Sequence, residues 1–415
     1  MTAAADHSNT ASAAAFAADA ATASAAGDDP TPALGGATVL QVLPALGEGG
    51  GVERGTVEVA RAIVAAGGRA LVVSAGGPLV HDLARVGAAH HLLPVDSKNP
   101  VVMYRNIARL ADLMRAEGVD IAHARSRAPA WSTLFAARRA GVRFVTTFHG
   151  TYGAGNFLKR RYNAVMGMGE RVIAISRFIA GHAHRLYGVP AARLRVIHRG
   201  VDLERFDPRK VSAERVIALA RAWQLPDGAP VVMLPGRLTR WKGQTVFIEA
   251  VARLGRRDIR ALLVGSEQGR HEYRRELEKL ILAHDLGGVV RIMDHCRDMA
   301  AAYMLSDVVV SASTDPEAFG RVVIEAQAMG RPVVATDHGG ARETVVDDET
   351  GWRVPPGDVE ALAAALAKAL ALGEDDRRRM AARAIDTVRA NFSTRAMCER
   401  TLAVYREVLG PPAAA

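Results

Sequence analysis

Three stretches of this 415-residue chain hold residue types and spacings that could do chemistry. The first runs from Thr314 to Gly340, TDPEAFGRVVIEAQAMGRPVVATDHGG, with Glu317 and Glu325 separated by seven residues. Paired carboxylates suggest general acid–base catalysis. If residues 317 to 325 were all helical, however, a rise of about 1.5 Å per residue would separate the ends by roughly 12 Å, about 80° around the axis. Carboxyl pairs that cleave glycosidic bonds stand about 5 to 9.5 Å apart, so a hydrolytic pair is disfavoured. Pro316 and Gly320 instead place Glu317 in a loop ahead of a helix, with Glu325 a turn or more inside it. The backbone N–H groups of Phe319, Gly320 and Arg321 then lie at the helix N-terminus, where the dipole favours a negative group. The plain alternative is that Glu317 only caps that helix.

The second stretch is PGRLTRWKGQT, in which Arg237 and Lys242 bracket a loop that starts with Gly236 and ends with Gly243. This suits a phosphate clamp at a helix start. The order Lys-Gly, rather than Gly-Lys-Ser/Thr, disfavours a Walker loop and nucleoside triphosphate hydrolysis. Two solvated surface charges are the alternative. The third stretch is PALGEGGGVERG, where Gly49, Gly50 and Gly51 would expose N–H groups to an anion or a sugar. Val52 breaks the dinucleotide fingerprint there, and a structural tight turn is the alternative. Carboxylates accept hydrogen bonds from sugar hydroxyls, while N–H groups, Arg and Lys neutralise phosphate. A ligand with a sugar, a diphosphate and a ribose would use all of these groups. Such a ligand is a nucleotide sugar.

The elements that must position these loops are legible as well. TVLQVLP, RALVVSA, AHHLLPV, DIAHAR, RFVTTFHG, RVIAIS and LRVIHRG read as strands apolar enough for a parallel sheet. VERGTVEVARAIVAAGG and PVVMYRNIARLADLMRAEG carry apolar residues at helical spacing between them. After a strandless interval, VVMLPG, RALLVG, VVRIMD, DVVVSAS, PVVATD and GWRVP form a second series. The fold class expected is α/β, two Rossmann-like doubly wound domains. Their expected limits are 37–210 and 211–390, with an Ala-rich disordered tail over 1–36 and a helix and tail over 391–415, the last packing on either domain.

Composition narrows the function classes. Cys296 and Cys398 have neither disulfide-framework nor zinc spacing, which fits a reducing compartment. The first 36 residues contain four Asp and no Lys or Arg, unlike a secretory or transit signal. No run of eighteen apolar residues occurs, so no spanning helix is expected. The net charge of +9 permits a phosphorylated ligand or an anionic membrane surface. Nucleic acid is disfavoured, because the few aromatics are not interleaved with basic residues.

The pieces GGVERG, FHG, VIAIS, VIHRGVDLERFDP, GRLTRWKG, LLVGSEQG, DVVVSAS and PEAFGRVVIEAQAMGRPVVAT occur in one order over residues 38 to 355. In this the chain resembles the retaining glycosyltransferases of the GT-B class, family 4-like, which include sucrose and glycogen synthases and bacterial mannosyl- and glucosyltransferases. The resemblance implies two domains facing across a cleft. It assigns Arg237 and Lys242 to the donor diphosphate, Glu325 to the ribose hydroxyls and Glu317 to the donor sugar, beside the backbone of Phe319 and Gly320. His149 would lie near the donor sugar, and Gly50 and Gly51 would approach sugar or phosphate. His295 and Arg297 fall where the family binds the base. Arg321 replaces an apolar residue found in many relatives. For His149 the alternative is a strand-end histidine satisfied by its own backbone.

The implied reaction is hexose transfer with retention. The leaving diphosphate, held by Arg237, Lys242 and the helix N-terminus, helps to deprotonate the acceptor hydroxyl, and electrostatics supply most of the catalysis. No Asp-x-Asp triplet occurs, so neither a metal nor any other cofactor is expected beyond the nucleotide-sugar co-substrate. VDDET and GEDDRRR read as caps or solvated faces. The acceptor expected is a glycan or lipid-linked glycan, in cell-envelope polysaccharide or lipopolysaccharide synthesis, at a cytoplasmic, peripheral location. GNFLKRRYNAVMG, with Lys159, Arg160 and Arg161 among Phe157, Leu158 and Tyr162, is the segment expected to meet an anionic membrane. An ordinary amphipathic helix is its alternative. The competing functions are a GT-B-fold nucleotide-sugar epimerase and an inactive donor-binding subunit.

Overall fold

Buried β-branched runs become parallel strands, and the amphipathic runs between them become covering helices. The computed structural model describes residues 33–47, 51–153 and 155–410. The tail expected over 1–36 falls outside these almost entirely, as does Gly50.

The chain divides into two compact units, one holding residues up to His198 and from Arg395 on, the other holding Arg199–Thr394. In the first unit the elements run β1 (Thr38–Val42), α1 (Gly51–Ala65), β2 (Arg69–Ser74), α2 (Val80–Arg85), β3 (Ala89–Leu92), α3 (Pro100–Ala116) and β4 (Ile121–Ala124). They continue with α4 (Arg127–Ala140), β5 (Arg143–Phe148), α5 (Phe157–Asn163), β6 (Arg171–Ala174), α6 (Arg177–Tyr187) and β7 (Leu194–Val196). The seven strands stand in the order β3-β2-β1-β4-β5-β6-β7 and pair in parallel, with Gln41 opposite His123 and Val145 next in register. β1 and β4 are buried along their whole length, as strands covered on both faces must be. Side-chain caps set helix starts: Asn99 Oδ1 accepts from Val101 N–H ahead of Pro100, and Ser176 Oγ accepts from Ile179 N–H.

The second unit continues with α7 (Ala213–Ala222), β8 (Val231–Pro235), α8 (Gln244–Leu254), β9 (Arg260–Val264), α9 (His271–Ala283), β10 (Val290–Met293) and α10 (Met299–Leu305). Then come β11 (Val308–Ser311), α11 (Arg321–Ala328), β12 (Val333–Thr336), α12 (Ala341–Thr344), β13 (Gly351–Val354), α13 (Val359–Leu370) and α14 (Glu374–Asn391). Its six strands are parallel in the order β10-β9-β8-β11-β12-β13. Val232, Leu234, Phe247, Leu263, Leu277, Val310 and Leu366 lie in one apolar core.

The join expected near residue 210 falls at 198/199. Phe206 is buried with its ring edge on Tyr303 of α10, which ties residues before 210 to the second unit. Val201 also bridges to Ser393, donating its N–H to Phe392 and accepting from Thr394. The last helix, α15 (Thr394–Leu409), packs Met397, Cys398, Leu402, Tyr405 and Val408 into the core of the first unit. The sequence left that choice open. In each sheet the order reverses beside the first strand, at β1/β4 and at β8/β11. Ligands of open α/β sheets bind outside the carboxyl ends of strands at such switch points.

Candidate functional site

The loops after β8 and β11, at the switch point of the second sheet, hold most of the residues singled out in the sequence. After β8 the chain passes Gly236 and Arg237, makes a 3₁₀ turn over Arg240–Lys242 and enters α8 through Gly243. Gly243 has φ 70°, and a Cβ there would lie 1.8 Å from the Ala312 carbonyl oxygen. Only glycine permits so close an approach of the two loops. Thr314 N–H fastens them by donating to the Trp241 carbonyl at 2.8 Å. Gln244, fully buried at the start of α8, donates to the Arg237 carbonyl at 2.9 Å and accepts from the Tyr273 hydroxyl at 3.1 Å. The backbone of Arg237 is thereby fixed, while its side chain is exposed and makes no ion pair among the described residues.

Lys242 is not a solvated surface charge. Its ammonium donates to Glu317 Oε1 at 2.5 Å and sits 4.6 Å from the centre of the Trp241 ring, and both side chains of the ion pair are under 15% exposed. Ser313 Oγ donates to the same carboxylate oxygen at 2.6 Å, and Ser311 Oγ at 3.4 Å. Burial alone would raise the Glu317 pKa, but the Lys242 charge and these hydrogen bonds outweigh it and hold the carboxyl below its ordinary value. Glu317 is therefore an anion at neutral pH.

α11 begins at Arg321, so residues 317 to 325 do not form one helix. Glu317 stands in the preceding loop and Glu325 one turn inside, as the Pro316 and Gly320 punctuation implies. The N-cap of α11 is Gly320, at φ 82° in the left-handed region, and no side chain caps the helix. Glu317 thus has no capping role. Glu325 accepts from the buried Tyr303 hydroxyl at 3.0 Å through Oε2 and pairs with Arg321 at 3.3 Å through Oε1. Burial and the neighbouring Glu325 push the Tyr303 pKa well up, so Tyr303 stays a hydrogen-bond donor. Thr239 Oγ1 and Arg321 Nε are buried at this end of the sheet without hydrogen-bond partners among the described residues. Buried polar atoms are usually paired, so unpaired ones beside a charged cluster suit a ligand.

The structure thus gathers Lys242, Glu317, Phe319, Gly320, Arg321 and Glu325, with the Arg237 backbone, around one switch point. Phe319 is buried with its ring against Phe392 at 5.7 Å. His295 and Arg297 follow β10 with exposed side chains, and the Arg297 carbonyl accepts from Arg205. His149 and Gly51 belong to the first unit. His149 follows β5, and its N–H donates to the Tyr152 hydroxyl at 3.3 Å, while Gly51 opens α1. Gly50 lies outside the described residues.

Sequence reasoning missed Ser311, Ser313 and Tyr303. The serines stand six and four residues before Glu317 and were legible only as part of a strand end. Tyr303 is 22 residues from Glu325, and no local spacing links the two. Among the described residues no group of three or more His, Cys, Asp or Glu comes together to hold a metal, and no helix is long and apolar enough to cross a membrane. On α5, Phe157 and Leu158 are about three-quarters exposed beside exposed Lys159, Arg160 and Arg161, so its apolar residues are not a core face.

Comparison with known proteins agrees with this geometry. Residues 49–205 match Glycosyltransferase Family 4, and residues 217–387 match Glycosyl transferases group 1. A D-inositol 3-phosphate glycosyltransferase of Xylanimonas cellulosilytica is 37% identical over 220 residues, covering 52% of this chain and 51% of the relative. The chain thus spans about half the length of that curated relative. The crystal structure of a glycosyltransferase from Rickettsia africae ESF-5 superposes with TM-score 0.84 at 38% identity, covering 90% of this chain and 99% of that one. Anabaena Alr3699/HepE, solved with UDP-glucose, matches at TM-score 0.77 and 23% identity over 89% of this chain and 99% of its own, a likeness of fold. With both matched segments in order, two parallel α/β units and a near-complete structural relative, the chain belongs to the family 4 glycosyltransferases of GT-B fold.

Proposed function

We propose that this glycosyltransferase moves a hexose from a nucleotide-sugar donor to a glycan or lipid-linked acceptor, with retention of anomeric configuration, in cell-envelope polysaccharide or lipopolysaccharide synthesis. The observation that carries the reading is the shielded Lys242–Glu317 ion pair at the head of α11, with Glu325 one turn further on. A donor placed there meets a cation for its diphosphate and two anionic groups for its sugar and ribose hydroxyls.

In this reading Lys242 and Arg237 bind the diphosphate, and the α11 N-terminus adds its dipole as charge develops on the leaving group. The leaving diphosphate, so held, helps to take the acceptor proton. Glu317 holds the donor sugar beside Phe319 and Gly320, Glu325 holds the ribose, and His295 and Arg297 border the base. No metal or other cofactor is required. The assignment of His149, Gly50 and Gly51 to the donor rests on the sequence resemblance alone. The exposed Phe157 and Leu158 beside three cations support contact of α5 with an anionic membrane.

A thermal-shift panel of UDP-, GDP- and ADP-sugars tests the donor, because ligand at a hundred times its Kd adds about 2.7 kcal/mol. A donor that stabilises should then give a transferred product of unchanged anomeric configuration by NMR. Inversion, or isomerisation of the donor without acceptor, would overturn the reading. Co-sedimentation with anionic vesicles tests the membrane contact: a Lys159/Arg160/Arg161 neutralised variant should bind less.

A further inference from the structure

Ser313 grips Glu317 through one oxygen and is itself gripped through another. Its hydroxyl donates to Glu317 Oε1 at 2.6 Å. Its carbonyl accepts from Thr336 Oγ1 at 2.9 Å and lies 2.8 Å from His338 Nε2. A carbonyl has no proton to give, so Nε2 carries it and His338 is the donor. The other ring nitrogen, Nδ1, is buried without a partner among the described residues. An apolar side chain would avoid that cost, so packing alone does not account for a histidine here. The loop after β12 also holds the Glu317 backbone, because Gly340 N–H donates to the Glu317 carbonyl at 2.9 Å.

The side-chain donors on Glu317 share one oxygen: Lys242, Ser313 and Ser311 all reach Oε1. One carboxylate oxygen is thus occupied by the protein, which fixes the plane of the group and leaves Oε2 for a hydroxyl. We propose that His338 and Ser313 are positioning residues, which orient the Glu317 carboxylate by way of Oε1 so that Oε2 faces the donor sugar. The inference rests on the donor reading given above for Glu317.

The test compares wild type with Ser313→Ala, Ser313→Thr, His338→Leu and His338→Gln by kcat, donor KM and melting temperature. Ser313→Ala should lower kcat about tenfold, the scale of one hydrogen bond to a charged group, and His338→Leu about fivefold, the scale of a neutral one, with donor KM changed less than threefold. Ser313→Thr keeps the hydroxyl and His338→Gln keeps an N–H donor near the Nε2 position, so each should recover most of the loss. Equal losses in His338→Leu and His338→Gln, or a Ser313→Ala enzyme within twofold of wild type, would overturn the proposal. If no nucleotide sugar stabilises the wild-type protein, the donor reading itself fails. Crystal structures of Ser313→Ala and His338→Leu then decide the positioning claim: with Lys242 still on Oε1, the Glu317 carboxylate plane should rotate and carry Oε2 to a new position, and an unchanged pose sinks it.

Discussion

The two units carry sheets with the same order over their first six strands, yet they use polar residues in opposite ways. In the first unit Gln41, His123, Arg125, Thr147 and Tyr405 are all buried. His123 lies 2.7 Å from both the Tyr405 and the Thr147 hydroxyls, Arg125 donates to Gln41, and Gln41 donates to the Thr56 carbonyl. Burial, then the nearby Arg125 charge, holds the His123 pKa well below its ordinary value, so the imidazole is neutral. In the second unit Lys242, Glu317, Arg321 and Glu325 are ionic, mutually paired and still partly accessible. A buried polar network specifies how elements pack, in this case α15 against the first sheet. The charges of the second unit, which we propose meet the donor, remain reachable.

The largest separation between the two networks should come from Lys242→Ala. Loss of one charge contact to the leaving group should reduce kcat/KM by about 10²-fold or more, and steady-state kinetics showing no change would remove Lys242 from the site. Tyr405→Phe should act the other way round. With His123 Nδ1 left buried and unpaired, stability should drop by about 1–3 kcal/mol in chemical denaturation, while kcat/KM stays within twofold. A large kinetic defect in that variant would mean that the first unit's network is catalytic after all.

Glu325→Gln sharpens the second unit internally. If Glu325 accepts from ribose hydroxyls, donor KM should rise about tenfold, the worth of one charge-assisted bond, with kcat little altered. A fall in kcat at constant KM would reassign it. The smallest effect expected is on pH. Because folding lowers the His123 pKa, the unfolded chain binds the extra proton first, so this contribution is complete above pH 6.5 and is lost as pH falls below it. Melting temperature should decline over that range, and His123→Gln should flatten the decline. A melting profile with the same slope in both proteins would contradict it.

Much of this is legible in the sequence. The seven and six runs read as strands are β1–β7 and β8–β13, because strands covered on both faces of a parallel sheet read as short, largely apolar runs, with the half-exposed edge strand β3 (AHHL) the weakest of them. Pro316 and Gly320 marked where the loop gives way to α11. Local spacing could not reveal partners far away in the chain: Tyr303 for Glu325, Thr336 and His338 for Ser313, and Tyr405 for His123, 282 residues apart. Nor could it fix the unit boundary, which depends on Phe206 reaching Tyr303 and on Val201 pairing with Ser393.

The sequence by itself determined the two α/β series, the loops that carry charge and the separation of Glu317 from Glu325 into loop and helix, since each follows from hydrophobic period and from where glycine and proline interrupt it. The tertiary structure decided that Lys242 is shielded against Glu317 while Arg237 stays exposed, that Glu317 is held through one oxygen only, and that α15 closes the first unit. Those outcomes depend on which loops a twisted parallel sheet brings side by side at its switch point, and hydrophobic period carries no record of that.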